Sequence, residues 1–260
     1  MASVKKAPDA VSASRPGLVF LHGFALDARM WRRQVHAFSR DFRVMTVDLP
    51  GFGPQAREVG EFDSSTELSR ALDYAKLPKA HFVASSYGAA VAVDFALGHP
   101  ERVASLTLVA PVLLGRRMGI EAWQRCVALA NDGDKTTAAE VWLDDPLFET
   151  LRQDEDLFEE VRQIVLDYGS HHWTGKVSAL WAEPDPMPRL KNLHFPSLVI
   201  SGEADLPSFV LMAEAYAKAL PRAHREIIQG VGHHVSLEST GDFNELLRAF
   251  LTQTMASVKA

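Results

Sequence analysis

Short, largely apolar runs punctuate the first 111 positions of this chain. The first is Gly17-Leu18-Val19-Phe20-Leu21, ended by His22-Gly23; others occupy residues 42–47, 80–85 and 103–109. The first is too short for a core helix and lacks polar alternation, so it reads as a strand buried on both faces, and the others are read as further strands. The segments between them carry a helical period. Residues 27–40 place Met30, Trp31, Val35 and Phe38 on one face, with Asp27 as the cap. A second helix, capped by Ser64 or Ser65, runs to Lys76, and a third runs from Gly88 to Gly98, where His99-Pro100 stops it. Alternating buried strands and helices predict an α/β fold with a doubly wound, mostly parallel sheet.

The alternation stops at Val112 and resumes near Leu190. Between these points the pattern is helical, with no strand of the earlier kind. Between Arg116 and Asp167 the sequence holds thirteen acidic and six basic residues, and Trp123, Trp142, Trp173 and Trp181 lie in the wider segment. Residues 112–190 are therefore expected to form a helical cap inserted into a core of residues 16–111 and 191–254. The prolines of Glu183-Pro184-Asp185-Pro186-Met187-Pro188 mark the return linker. The core then continues with a strand at 195–201, a helix bearing Phe209, Leu211, Met212, Ala215 and Tyr216, a strand at 225–228 and a last helix at 242–252. Residues 1–15 read as a flexible N-terminal arm with one short strand near 10–14. Met1-Ala2-Ser3-Val4-Lys5 recurs as Met255-Ala256-Ser257-Val258-Lys259, and no physical reason for the repeat is evident.

Composition narrows the partners. A chain of 260 residues with 47% hydrophobic content suits one large domain carrying an insertion. A net charge of -6 without a basic stripe argues against nucleic acid. No apolar run reaches ~18 residues, so no membrane span is expected, and no apolar core follows Lys5-Lys6, so no secretory signal is read there. Cys126 is the sole cysteine, expected to pack in a helix rather than react. A cytoplasmic protein acting on a small molecule is the expectation, with a homodimer as the assembly allowed for.

The chemistry centres on Ala84-Ser85-Ser86-Tyr87-Gly88. A serine between a buried strand and a helix, with small residues two positions away on each side, fits a nucleophile elbow, although small-x-Ser-x-small also occurs in ordinary turns. This frame selects Ser86, because Ser85 would need Val83 and Tyr87 as its small neighbours. Asp205 and His233 also follow the carboxyl ends of predicted strands, and in a parallel sheet these ends share one edge. Taken singly, Asp205 could be a helix cap and His233 a loop residue. Together the three fit a triad in which Ser86 attacks, His233 takes its proton and Asp205 orients the imidazole. Gly51-Phe52-Gly53 lacks the third glycine of a dinucleotide fingerprint.

These pieces, with His22-Gly23-Phe24, Asp48-Leu49-Pro50-Gly51-Phe52-Gly53, His99-Pro100-Glu101-Arg102-Val103, Gly202-Glu203-Ala204-Asp205 and Gly230-Val231-Gly232-His233, resemble the α/β-hydrolase superfamily across nearly all of residues 16–253. The resemblance is to serine-nucleophile members such as enol-lactonases, small carboxylesterases and hydrolases of ring-cleavage products. It implies an oxyanion hole from the backbone N–H groups of Phe24 and Tyr87. It also implies two opening antiparallel strands, for one of which this N-terminus is short. Ala84 and Ala89 stand where glycines are common, and both are small. The serine excludes relatives that open epoxides or remove halides, which need a carboxylate at the elbow.

His234 competes with His233 for the role of base; His233 is preferred because it directly follows Gly-x-Gly. Adjacent His171 and His172 lack metal-ligand spacing, so no metal is expected. The sequence thus predicts a cofactor-independent serine hydrolase of a small, largely apolar ester, thioester or lactone, working through an acyl-enzyme. Trp123, Trp142 and Trp173 are candidates to line its pocket, against the plainer alternative of packing between cap and core. The same triad positions would serve a hydrolase of C–C bonds in β-diketone or dienoate substrates, for which Arg116, Arg117 and Arg189 are candidate carboxylate ligands. A member that binds ligand without turnover is the remaining alternative.

Overall fold

The computed structural model describes residues 3–6, 15–53, 56, 60–113, 120–181 and 185–259. In chain order the main sheet contains β1 (Ser3–Lys6), β2 (Gly17–Leu21), β3 (Arg43–Asp48), β5 (Ala80–Ser85), β6 (Val103–Val109), β8 (Ser197–Gly202) and β9 (Ala223–Ile228). A separate pair is formed by β4 (Gly60–Asp63) and β7 (Val177–Leu180). The main sheet has the spatial order β1-β3-β2-β5-β6-β8-β9. Only β1 runs antiparallel, pairing Ser3 with Asp48 through Lys6 with Met45; the other pairs are parallel.

Every residue of β2, β5 and β8 is buried, as in strands covered on both faces. The cover comes from α1 (Arg32–Phe38), α2 (Ser64–Tyr74), α3 (Tyr87–Gly98), α7 (Pro207–Ala219), α8 (Val235–Glu238) and α9 (Thr240–Lys259). From Gly88 to Ala96 every residue of α3 is buried. Strand order reverses around β2, whose neighbours are β3 on one side and β5 on the other. In open α/β sheets the crevice at such a reversal is where ligands bind. Ser86 follows β5 and Phe24 follows β2, so the two stand at adjacent strand ends across it.

Between β6 and β8 the chain forms α4 (Trp123–Asn131), α5 (Lys135–Leu143) and α6 (Glu155–Leu166), together with β7. The strand within this segment departs from the helical expectation. β7 pairs in parallel with β4 from Gly60–Val177 to Asp63–Leu180, tying the insertion to the loop after β3. Ser178 and Leu180 are exposed, so β7 has no continuous apolar run to betray it.

Other differences are local. The expected helix at 27–40 opens as a 3₁₀ turn over Ala28–Trp31 before α1, with Asp27 accepting the Arg29 N–H. Asp63 caps α2 by accepting the Thr66 N–H at 2.6 Å, rather than Ser64 or Ser65. The last helix continues to Lys259, and the N-terminal strand lies at Ser3–Lys6. The strand expected at 10–14, together with Arg116, Arg117, Glu183 and Pro184, falls outside the described residues. Cys126 donates to the Ala138 carbonyl, and burial pushes its thiol up to about 12, which suits packing rather than reaction. No helix among the described residues is long and apolar enough to cross a membrane.

Candidate active site

Ser86 sits between β5 and α3 with φ 49° and ψ -112°, a backbone conformation that costs a non-glycine residue strain energy. Gly88 explains how the turn is accommodated. A Cβ at that position would lie 2.6 Å from the His22 carbonyl oxygen and 2.7 Å from that of Leu21, both rigid backbone at the end of β2. Ala84, the other small position, is fully buried in β5. The Ser86 N–H donates to the Val109 carbonyl at 2.9 Å, anchoring the turn to β6. Its hydroxyl holds no hydrogen bond among the described residues.

The loop after β2 passes directly against this turn: a Cβ on Gly23 would stand 3.6 Å from Ser86 Cβ. His22 fixes the loop, since its Nδ1 donates to the Gly23 carbonyl at 2.8 Å while its Nε2 accepts the Leu49 N–H at 2.9 Å. Burial depresses its pKa, so the ring that makes these two bonds is neutral. Neither the Phe24 nor the Tyr87 amide donates to a backbone carbonyl among the described residues. Tyr87 opens α3, where an unpaired N–H also carries the positive end of the helix dipole.

The loops after β8 and β9 are laced together. Glu203 N–H donates to the Ile228 carbonyl and Ala204 N–H to the Val231 carbonyl, each at 2.9 Å. Gly202 permits the approach, because a Cβ there would collide with the Val231 carbonyl oxygen. This lacing brings His233 onto Asp205: Nδ1 lies 3.0 Å from Oδ2 and 3.1 Å from Oδ1. A carboxylate can only accept, so Nδ1 donates, and in the neutral ring this tautomer leaves the lone pair on Nε2. Asp205 Oδ1 also accepts the Leu206 N–H at 2.7 Å. The His233 ring is braced by Phe209 at 4.3 Å.

His234 faces another way. Its ring lies 4.6 Å from that of Phe148, and burial holds its pKa well below the usual imidazole range. Only His233 of the pair meets Asp205. Sequence reasoning missed Glu238, whose Oε2 accepts the Gly232 N–H and whose Oε1 accepts the His234 N–H, each at 2.8 Å. An acid five residues beyond a histidine, on a short helix, was the available signal.

The three candidate tryptophans gather around Phe24. Their centroids stand 5.0 Å (Trp123), 5.4 Å (Trp142) and 5.9 Å (Trp173) from its ring. Tyr168 and His172 complete the insertion's side of the cage at 5.7 and 5.8 Å; Phe52 and Tyr87 form the core's side at 5.5 and 6.0 Å. Trp142 and Trp173 are buried while Trp123 is half-buried, so these rings pack insertion against core directly above the loop of Phe24. His172 stacks on Phe52 at 4.2 Å, and burial pushes it down to about 3, so it is neutral. No group of three His, Cys, Asp or Glu side chains among the described residues could hold a metal ion. Arg189 donates to the Leu97 carbonyl, at the opposite end of α3 from Ser86.

A family model described as the alpha/beta hydrolase fold matches residues 16–240. The chain is 29% identical over 237 residues to the dihydrolipoyllysine-residue acetyltransferase component of an acetoin cleaving system from Pseudomonas putida. That match covers 90% of this chain and 63% of the relative, so the chain spans less than two thirds of that protein. It is 31% identical over 264 residues to a 2-hydroxy-6-oxononadienedioate/2-hydroxy-6-oxononatrienedioate hydrolase from Paraburkholderia phymatum, covering 93% of this chain and 88% of that one. The enol-lactonase from Burkholderia xenovorans shares its fold with a TM-score of 0.81 and 21% identity, over 96% of both chains.

Proposed function

The chain belongs to the α/β-hydrolase fold family, and from that premise we propose that it is a cofactor-independent serine hydrolase of small, largely apolar carboxylic esters, thioesters or lactones. Ser86 attacks the carbonyl, and His233 Nε2 takes its proton. Asp205 holds the Nδ1–H tautomer and stabilises the imidazolium. The amides of Phe24 and Tyr87 receive the oxyanion, and the helix dipole of α3 adds to that stabilisation. Collapse of the tetrahedral intermediate expels the alcohol, which takes the proton from His233, and leaves Ser86 acylated. Water, deprotonated by His233, then releases the acid and restores the serine.

One observation carries the reading: the 3.0 Å contact from His233 Nδ1 to the wholly buried Asp205 carboxylate, at the strand edge that also carries the strained Ser86. The open Ser86 hydroxyl is compatible with it, since catalytic hydrogen bonds often tighten only when substrate is bound. Residues 112–190 act as the cap in this reading, and their rings over Phe24 support an apolar acyl group. Hydrolysis of a C–C bond in a charged dienoate is less favoured, because Arg189 is engaged away from Ser86 and His172 is neutral. A single cysteine, buried and unpaired, suits a reducing cytoplasm.

The test is hydrolysis of p-nitrophenyl esters from acetate to octanoate by the wild-type chain and by Ser86→Ala. Turnover that falls to the spontaneous rate in the variant supports the reading. Equal turnover by both chains overturns it.

A further inference from the structure

The loop that carries Phe24 continues into a charge arrangement that the proposed chemistry does not use. The Asp27 side chain is 2% exposed, and Arg29 takes its carboxylate with two groups. Nε lies 3.0 Å from both oxygens and Nη2 lies 2.7 Å from Oδ2. The same guanidinium reaches the insertion, where Nη1 donates to Asp167 Oδ2 at 2.6 Å. Burial alone would raise the Asp27 carboxyl, but hydrogen bonds from Arg29 hold it below its ordinary value.

Asp167 is the residue that closes α6. An acid there faces the negative end of the helix dipole, and α6 has no basic residue in its last turn. Arg29 supplies the missing cation from the core. A second contact runs alongside, from Arg33 on α1 to Glu160 on α6 at 2.8 Å. Tyr168 and His172, which stack on Phe52 at 5.2 and 4.2 Å and border Phe24, follow Asp167 in sequence. Asp27 lies three residues after Phe24. One guanidinium therefore joins the segment bearing the proposed oxyanion donor to the segment bearing the rings above it.

We propose that Arg29 is a positioning residue that sets the aromatic wall at 168–173 over Phe24, an inference resting on the hydrolase reading above. The planar fork of arginine can serve two carboxylates at once, whereas a lysine is a single point charge. The two halves of the link differ in exposure. Asp27 is enclosed, while Arg29 and Asp167 side chains are 24% and 37% exposed, so salt weakens the half that reaches the insertion. Because the wall touches substrate in ground and transition states alike, losing its position raises KM and leaves kcat in place.

Asp167→Asn in the full chain is the test, because it cuts the link to the insertion and leaves the buried Asp27–Arg29 pair intact. Kinetics use the neutral substrate p-nitrophenyl butyrate in about 0.05 M and about 0.5 M sodium chloride, spanning strong and weak screening. Wild type should show KM rising with salt. The variant should begin with KM raised about twofold to fivefold, the scale of a partly exposed ion pair, with kcat retained and a smaller salt response, since the Arg33–Glu160 contact persists. Asp167→Glu should restore wild-type behaviour, and thermal melts of all three should coincide. A variant with wild-type KM at low salt, or one whose salt response is as large as that of wild type, overturns the proposal. If wild type neither hydrolyses the ester nor takes a fluorophosphonate label, the hydrolase reading fails and this inference falls with it.

Discussion

Glu238 holds His233 from both sides without touching its ring, accepting the Gly232 and His234 amides at 2.8 Å each. These charge-assisted bonds fix the backbone whose side chain must present Nε2 to the serine. Glu238→Gln replaces one accepting oxygen by a donor, leaving an amide unpaired. It should cost about 1–3 kcal/mol in urea denaturation and lower kcat about 10- to 100-fold, the scale of a misplaced catalytic group. KM should change little. Loss of stability with unchanged kcat would make Glu238 structural only.

Gly88 is the position of the elbow least able to change. The Cβ of Gly88→Ala would press on the His22 and Leu21 carbonyl oxygens, at and just past the end of β2, at 2.6 and 2.7 Å. Overpacking typically costs ~1–3 kcal/mol where side chains can yield, and backbone yields less. The expected result in guanidinium unfolding is a loss at or above that range. Ala84→Gly, which only loosens the strand, should cost about 0.5–1 kcal/mol.

Phe24 has two separable parts in this account. Its amide serves the oxyanion, and its ring fills a cage shared with Trp123, Trp142, Trp173, Tyr168 and His172. Phe24→Ala retains the amide and vacates the ring's volume. The ratio of kcat/KM for p-nitrophenyl octanoate over acetate should rise at least about 10-fold, the value of an added methylene or two in an apolar pocket. An unchanged ratio would place the acyl group elsewhere.

Stability should fall steeply below neutral pH. Burial lowers the pKa of His22, His81, His172 and His234, to about 4 for His81 and about 3 for His172. Each ring is neutral in the folded chain but takes up a proton in the unfolded chain below about 6.5. The unfolded state therefore binds more protons, and stability is lost as pH falls from about 6.5 towards the folded values. Each histidine contributes up to ~1.4 kcal/mol per pH unit in that window. His81, hydrogen-bonded to Ser105 at 2.7 Å in the sheet, is the one to remove. His81→Gln should flatten the slope of urea-derived stability between pH 4.5 and 6.5, windows set by about one histidine. An unchanged slope would mean that His81 is charged in the fold.

What the sequence disclosed depends on burial. The strands at 80–85 and 103–109 are legible to the residue because both faces are covered, so apolar residues dominate each and His81 and Ser105, the polar pair between them, are buried with them. The Ser86, Asp205 and His233 positions are legible because each follows the carboxyl end of a strand, even where, as in β9, that strand is half exposed. β4 and β7 are not, since each is short and at least half exposed and its pairing partner lies more than a hundred positions away in the chain. Glu238 and the Arg29–Asp167 link are equally hidden: one acts through backbone amides and the other spans 138 positions. The repeated Met-Ala-Ser-Val-Lys gives the limit directly. Its first copy supplies Ser3 to β1, beside Asp48, and its second extends α9 to Lys259. The Ser-Val-Lys shared by both copies takes two backbone conformations because the neighbouring strand and the preceding helix, not the local sequence, decide.

The claim on which the rest depends is that the Ser86 hydroxyl attacks with His233 as its base and Asp205 behind it. A fluorophosphonate probe reads this in one step: the Ser86 oxygen bonds to phosphorus, fluoride leaves and His233 takes the proton. Rates of adduct formation, with the site located by peptide mass spectrometry, should be measured for wild type, Ser86→Ala, His233→Ala and Asp205→Asn. The account predicts one adduct on Ser86, none in Ser86→Ala, and labelling slowed by about 10³-fold or more in the other two variants. An adduct at another residue, or His233→Ala labelling as fast as wild type, would contradict it.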